Sequence, residues 1–472
     1  MKALTRREVL LRWGAISAGA VSMGFAGMQL STVKKKLSAD ASGIGYGELV
    51  TDRERRLDLP RGFSYQLVSE VGDTMDDGLV VPGAPDGMAT FPGPDGLTIL
   101  IRNHEQNPDV ATGPFGRNNR LLGNIDSTKL YDDGNNQTPG LGGTTTVVYD
   151  TLGKKLVRQF MSLAGTYRNC AGGPTPWGSW LTCEETVQRV GRGDEGQKFV
   201  AARDHGWVFE VPASSEPELF EPRPIHAMGR FNHEALAVDP ESGVVYMTED
   251  RDDGLLYRYI PKTPGKLLDG GRLQALCLPE DLGGETRNWD RSQISIGQPQ
   301  PVTWIDMGEV DSPLDDLRFR GFGAGAARFA RGEGIWYGDR EVFFACTTGG
   351  QSEAGQIWRY RPSEQEGTEG ELQSPGELEL FIEPNNTRLL NNADNLTVAP
   401  WGDVVVCEDR KRSVVRLVGV TPSGGIYTLA HSHMRTELTG VTFSPDGSTL
   451  FVNAQGKGLT LAITGPFKES IA

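Results

Sequence analysis

The sequence predicts an all-β chain, a β-propeller of six blades. Three observations point there. Glycine accounts for 61 of 472 residues, beside 23% charged and 38% hydrophobic residues. That glycine share is about twice the usual one, and with scattered Pro, Asn and Asp it implies many turns between short strands. A unit of turn glycine, alternating apolar residues and a polar or acidic pair recurs along the chain. Its recurrence at roughly 40 to 90 residues suits propeller blades with variable insertions rather than a sandwich. The same composition excludes a polytopic membrane protein and a coiled coil, and it argues against a disordered chain.

The first 41 residues stand apart. They carry seven Lys or Arg and only Glu8 and Asp40 as acids. Thr5-Arg6-Arg7-Glu8-Val9-Leu10, followed by a mildly apolar Gly/Ala-rich run from Trp13 to Leu30, resembles a twin-arginine export signal. Ala39-Asp40-Ala41 offers a small-residue cleavage pattern, though its distance from the apolar run leaves the cut site open. Without the segment the formal charge of -15 becomes about -20, which excludes a general nucleic-acid binder. The expectation is residues 1–41 as signal and 42–472 as one propeller domain, although about 150 residues per domain would allow three. The expected partner is the twin-arginine export machinery, and the destination is the periplasm or the exterior of a bacterial cell. A monomer without stable membrane association after export is expected. Export of a prefolded chain also fits a cofactor inserted before translocation.

The hairpins follow in order. Gly178 leads to Glu184-Glu185, Gly243 to Glu249-Asp250 and Gly402 to Glu408-Asp409, each pair starting six residues after the glycine. Pro176, Pro240 and Pro400 stand just before those glycines. Gly96 leads to Arg102-Asn103 and Gly447 to Asn453 at the same offset, after Pro94 and Pro445. A sixth unit, from Gly332 to Thr347, keeps the hairpin shape but departs in offset. Runs such as Leu236-Ala237-Val238 and Val244-Val245-Tyr246-Met247 flank the turns, so each unit reads as a pair of half-buried strands. Further strands are expected at Gly254–Tyr259, Gln356–Tyr360 and Ser413–Leu417. Segments near 262–301 and 361–375, rich in Gly, Glu and Pro, read as surface loops.

Five cysteines in a large exported chain make neither a disulfide-dense scaffold nor a Cys-x-x-Cys knuckle. Cys183, Cys346 and Cys407 each end an apolar run and read as buried strand residues. Cys170 differs, because it lies between Tyr167-Arg168-Asn169 and Ala171-Gly172-Gly173.

In a propeller the innermost strands run along a central channel, so equivalent residues of each repeat converge on one ring. Before the turns stand Asp86, Asn169-Cys170, Asn232-His233-Glu234, Arg331-Gly332-Glu333, Asp394-Asn395 and Thr439; after them stand Asn103-His104-Glu105 and the three acidic pairs. That many carboxylates at one mouth would repel unless cations were present. Acidic pairs at strand ends can also be solvated edges that protect a sheet, but three pairs at one offset favour metal. Carboxylate and amide oxygens suit calcium, and a thiolate among carboxylates suits a transition metal, which leaves room for two metal types. His104 and His233, each in an Asn-His-Glu triplet, fit either a ligand or a group that orients a carboxylate. His431 and His433 are weaker candidates.

Tyr-Arg-Asn-Cys170-Ala-Gly-Gly-Pro-Thr-Pro-Trp-Gly-Ser-Trp-Leu-Thr-Cys-Glu-Glu185, Phe-Asn-His-Glu234, Ala-Arg331-Gly-Glu333-Gly and Asp394-Asn-Leu resemble the motifs of the PhoX family of alkaline phosphatases. The similarity runs from about residue 45 to 465 of the exported chain, and the cysteine motif is its most specific part. The resemblance implies a propeller enzyme that hydrolyses small-molecule phosphate monoesters outside the cytoplasm, for phosphate acquisition. It also implies a site with a ferric pair, several calcium ions and a bridging oxo group. Carried over by motif, Cys170, Glu234 and Glu333 are metal ligands, with Cys170 on Fe3+, and Arg331 holds a phosphate oxygen; Arg331, Cys170 and Glu333 form the catalytic group. Glu184, Glu185, Glu249, Asp250, Asp394, Glu408 and Asp409 are the further Ca2+ or Fe3+ ligands expected. The chain is shorter than the better-known members between Cys170 and Glu234 and after Glu333, which bears on metal count and substrate access.

The chemistry agrees. Ester hydrolysis needs neutralised phosphate oxygens, an activated oxygen nucleophile and a stabilised leaving alkoxide, all of which a multi-metal cluster supplies. An arginine adds bidentate phosphate contact. No Gly-x-Ser-x-Gly elbow, Walker loop or His-Glu-x-x-His helix occurs in the sequence. The alternatives are a non-catalytic propeller in which calcium is structural, and a metal-dependent lactonase or phosphodiesterase on the same scaffold.

Overall fold

A computed structural model describes residues 44–191, 199–410 and 414–468. The expected export segment over 1–41 and Ser413 lie outside these residues. Strands dominate, joined by short 3-10 turns; Leu317–Gly323 is the one α-helix among the described residues.

Six antiparallel sheets form the expected six blades. Their innermost strands are Pro85–Pro92, Asn169–Pro174, His233–Val238, Gly332–Tyr337, Ala393–Val398 and Leu438–Phe443. Each lies against the innermost strands of the blades on either side, and the last returns to the first. The second strands, in the same order, are Thr98–His104, Ser179–Glu184, Val245–Glu249, Val342–Cys346, Val404–Glu408 and Thr449–Ala454. The ring is locked by the N-terminal strand Ser64–Glu70, which pairs with Leu459–Thr464 as the outer edge of the sixth blade.

The second strands were expected to be half-buried, yet Val245–Glu249, Val342–Cys346 and Val404–Glu408 are buried at every position. Each blade is sandwiched between two others, so both faces are covered and continuous apolar runs replace alternation. Between the third and fourth blades pack Tyr246, Phe344, Trp358 and Tyr360. Between the fifth and sixth pack Val405, Leu417, Leu450 and Leu461. Each such side chain contributes about 1.5–3 kcal/mol through removal from water.

Two sequence expectations need correction. The segment 262–301 is not only loop: Gly271–Cys277 is a strand of the third blade, paired with Gly254–Pro261. Its flanking glycines and prolines masked a seven-residue run. The hairpin offset also varies, because the second strand of the first blade is longer and the glycine of the fourth turn, Gly338, stands at the start of that turn. His104 pairs with Pro85 and Cys346 with Gly332, where Glu184, Glu249 and Glu408 pair with Asn169, His233 and Ala393. The counterpart of Glu184-Glu185 in the first blade is therefore His104-Glu105, two residues beyond Arg102-Asn103. In the fourth it is Cys346-Thr347.

Candidate metal centre

One backbone bond is repeated in all six blades. The residue just past the second strand donates its N–H to a carbonyl just before the inner strand: Glu105 to Ala84, Glu185 to Arg168, Asp250 to Asn232, Thr347 to Arg331, Asp409 to Asn392 and Gln455 to Glu437. Ala84, Arg168, Arg331 and Asn392 adopt left-handed φ values between 44° and 55°, a conformation that costs non-glycine residues energy and concentrates at functional sites. Two residues after these carbonyls the inner strand slips in register, which frees a residue from the ladder. In the first five blades that residue is Asp86, Cys170, Glu234, Glu333 and Asp394; in the sixth, Thr439 at the corresponding place still pairs with Asn453 and the slip follows it.

The repeat builds a stacked donor set at one mouth of the channel. Three groups of ligand atoms lie within 4.8 Å of one another: Asp86, Glu105 and Cys170; Cys170, Glu185 and Glu234; Glu234, Glu333 and Asp394. They share Cys170 and Glu234, so the groups form one arc across five blades. The sixth blade contributes Thr439 and Gln455 at the corresponding places, and Gln455 Nε2 donates to Asp86 Oδ2 (2.6 Å) and Glu105 Oε2 (3.0 Å).

Beneath the arc the channel is closed. The next residues are Gly87, Ala171, Ala235, Gly334, Asn395 and Gly440. A Cβ on Gly87 would stand 2.5 Å from Ala171 Cα, and one on Gly334 2.7 Å from the Leu396 nitrogen. The space left among these residues is about 10 Å³. Small residues are needed because six inner strands converge on one axis.

The electrostatics are severe. Asp86, Glu234 and Glu333 are at most 4% exposed. Burial first, then neighbouring carboxylates, push Asp86, Glu234, Glu333 and Asp394 well above the usual carboxylate range. Burial, with Glu105 and Asp250 opposing Arg168, raises Glu185 to about 8. The Cys170 thiol is raised by burial and then by Asp86 and Glu234; it faces Glu234 Oε1 at 3.3 Å and Asp86 Oδ2 at 3.7 Å. Asp86 Oδ1 and Glu234 Oε2 are buried without a hydrogen-bond partner. An orphaned carboxylate oxygen is costly, and here both point to a cation.

Two guanidiniums offset part of the charge. Arg331 donates from Nε and Nη2 to Asp250 at 2.8 and 3.0 Å and from Nη2 to Glu333 at 2.6 Å. Its Nη1 faces Asp409 at 4.0 Å. Arg168 holds Glu105 at 2.8 Å and also Glu185. Burial opposes both charges, but Glu333 and Asp250 hold Arg331, and Glu185 and Glu105 hold Arg168, above their ordinary values.

Of the residues expected from sequence, the structure brings Cys170, Glu185, Glu234, Glu333 and Asp394 into the three groups, with Arg331, Asp250 and Asp409 at their rim. It does not bring Glu184, Glu249 and Glu408 there. Glu184 accepts from Tyr167 N, His205 Nδ1, Gly206 N and Trp207 N. Glu249 is held by Tyr257 Oη and Leu255 N, and Glu408 by Arg416 and Asn391 N. His104 and His233 lie inside their blades, on Gly83 O and Thr145 Oγ1 and on Gly229 O respectively, and His433 pairs with Asp58. Among the described residues all five cysteines are free. Glu105 and Asp86 join the donor set, and Arg168 pairs with Glu105 and Glu185 beside it; the first two stand at ring positions of the repeat, and no acidic pair marks them.

A family model described as alkaline phosphatase PhoX matches residues 44–458. No curated protein matches the chain. Among solved structures, Pseudomonas fluorescens PhoX in complex with vanadate, a transition state analogue, aligns with a TM-score of 0.63 and 19% identity, over 89% of this chain and 97% of that one. A Xanthomonas campestris gluconolactonase aligns with a TM-score of 0.38 and 12% identity, over 90% and 99%.

Proposed function

The chain belongs to the PhoX family of alkaline phosphatases, phosphoric monoester hydrolases, and from that premise we propose that it works outside the cytoplasm at a mixed calcium and iron centre. The observation that carries the centre is the pair of buried, partnerless oxygens on Asp86 and Glu234, set in three contiguous donor groups. The group with the oxygens of Glu234, Glu333 and Asp394 suits Ca2+. The two groups that share the Cys170 sulfur suit Fe3+. Bound there, such cations supply neutralisation of phosphate oxygens, an activated oxygen nucleophile and stabilisation of the leaving alkoxide.

The chain's own residues do the rest. Glu333 and Asp250 fix the Arg331 guanidinium through Nε and Nη2, which leaves its Nη1 edge for a phosphate oxygen. The closed floor of glycine and alanine confines approach to the open mouth. The P. fluorescens protein holds vanadate, an oxyanion of the same shape class as a phosphoryl group, and an equivalent oxyanion position beside Arg331 is part of this reading.

Twin-arginine export of residues 42–472 after loading of the metals fits the basic, Arg6-Arg7-bearing start, and phosphate acquisition is the role that follows. No helix among the described residues is long and apolar enough to cross a membrane. The test is p-nitrophenyl phosphate hydrolysis by the exported protein before and after chelation. Loss of turnover on chelation, restored by calcium with iron, is expected; undiminished turnover after complete metal removal would end the proposal.

A further inference from the structure

Next to the donor groups lies a cleft of about 440 Å³, and Arg168, Glu185 and Asn232 form its inner wall. These residues stand at the rim of the second and third blades, so the cleft opens directly off the mouth that holds the carboxylates. Its size falls in the range of small-molecule sites.

The lining has the opposite character to the mouth. Among the described residues Arg168, Arg189, Arg230 and Arg251 face it, against Glu185 and Asp315 as acids, in a chain of formal charge -15. Arg230 is 2% exposed, and its guanidinium donates to the carbonyl oxygens of His205 (2.7 Å), Ser312 (3.1 Å), Gln188 (3.4 Å) and Val187. Among the described residues all four acceptors are neutral carbonyls, so Arg230 lends the floor a fixed positive charge.

On the outer wall the arginines have only long contacts to carboxylates among the described residues, though Arg189 Nη1 also donates to Pro313 O at 3.1 Å. Arg251 Nη2 is 3.5 Å from Asp315, a carboxylate that Arg318 takes at 3.0 Å. Arg189 Nη2 is 3.5 Å from Asp204, whose other oxygen accepts from Val190 N at 2.8 Å. Both guanidiniums are about a third exposed. Leu314, 76% exposed, supplies apolar surface between them.

We infer that this cleft seats the leaving group, and that it selects phosphate monoesters whose alcohol half carries a second anionic group, a carboxylate or a phosphate. The inference rests on the phosphatase reading above and gives that reading a substrate class. An ester anchored by its phosphate at Arg331 and the donor groups places its alcohol half beyond Glu185. There Arg189 and Arg251 meet the second anion, and Arg230 sets the local potential.

The experiment compares 3-phosphoglycerate with p-nitrophenyl phosphate on the full exported protein and on the Arg189→Gln, Arg251→Gln and double variants. The reading is the ratio of kcat/KM for the two esters, with circular dichroism as the folding check. A partly exposed charge contact supports a loss in that ratio of about fivefold per arginine, and Arg251→Lys should keep most of it. A ratio within twofold of the original in the double variant would overturn the inference. If metal-loaded protein hydrolyses neither ester, the phosphatase reading fails by itself, and calorimetric titration with 3-phosphoglycerate then reads the cleft directly. Weaker binding in the double variant would keep the anion site, and equal binding would remove it.

Discussion

Replacement of Glu234 by Gln separates a metal-binding role from a structural one. Glu234 has one oxygen facing the Cys170 thiol at 3.3 Å and the other buried without a partner, and it belongs to two of the three donor groups. Burial and then Glu185 and Asp394 raise its pKa well above the usual range, which favours the protonated form in the metal-free protein. A neutral amide of the same shape then changes metal-free stability by only about 1 kcal/mol. The metal-loaded protein behaves differently. A site filled at 100 times its Kd contributes about 2.7 kcal/mol, and a 100-fold weaker site leaves about 0.4 kcal/mol. Two sites weakened together lose roughly 4–5 kcal/mol, or about 5 °C of metal-induced Tm rise for a body of this size. Scanning calorimetry of both proteins, with chelator and with calcium and iron, reads both quantities. An equal metal-induced rise in Glu234→Gln would refute the ligand role. A chelated variant that unfolds far below the chelated original would show a structural carboxylate instead.

Three other outcomes are expected. Glu184→Gln should leave metal content intact but destabilise the fold by about 3–5 kcal/mol, because His205 and three backbone N–H groups lose a buried carboxylate; Glu185→Gln should do the reverse, and elemental analysis beside denaturant melts distinguishes them. For pH, Asp86, Glu185, Glu234, Glu333 and Asp394 have folded pKa values above their unfolded ones, so their contribution is fully present below about pH 4. It is lost as pH rises through the folded values, up to about 8 for Glu185. Chelated protein should therefore show a Tm that falls from pH 5 to pH 8, while added calcium flattens the profile because its affinity rises as protons leave; a chelated Tm that climbs over that interval would contradict the buried-acid account. Gly334→Ala should cost about 2 kcal/mol or more, since its Cβ would stand 2.7 Å from the Leu396 nitrogen; unchanged melting would mean the floor can yield.

The sequence carried the propeller and its six hairpins, because turn glycines and apolar runs are local features. It could not tell which member of each acidic pair reaches the mouth. In Glu184-Glu185 the first residue ends a strand and points into its blade, and the second follows the strand and faces the axis. One position of offset reverses the side chain. Asp86 and Glu105 were harder to place because the longer second strand of the first blade, Thr98–His104, moves the ring position two residues past Arg102-Asn103. Arg168 stands inside the cysteine motif, but the motif gives it no role, since its place at the rim depends on a left-handed backbone and on a carbonyl bond repeated around the ring.

Elemental analysis of the purified exported protein and of Cys170→Ala, each paired with p-nitrophenyl phosphate hydrolysis, tests the metal centre most directly. The account expects iron and calcium in the original protein, with turnover that chelation removes, and loss of iron and of turnover in Cys170→Ala. Full iron content and full activity in that variant, or turnover by metal-free protein, would contradict it.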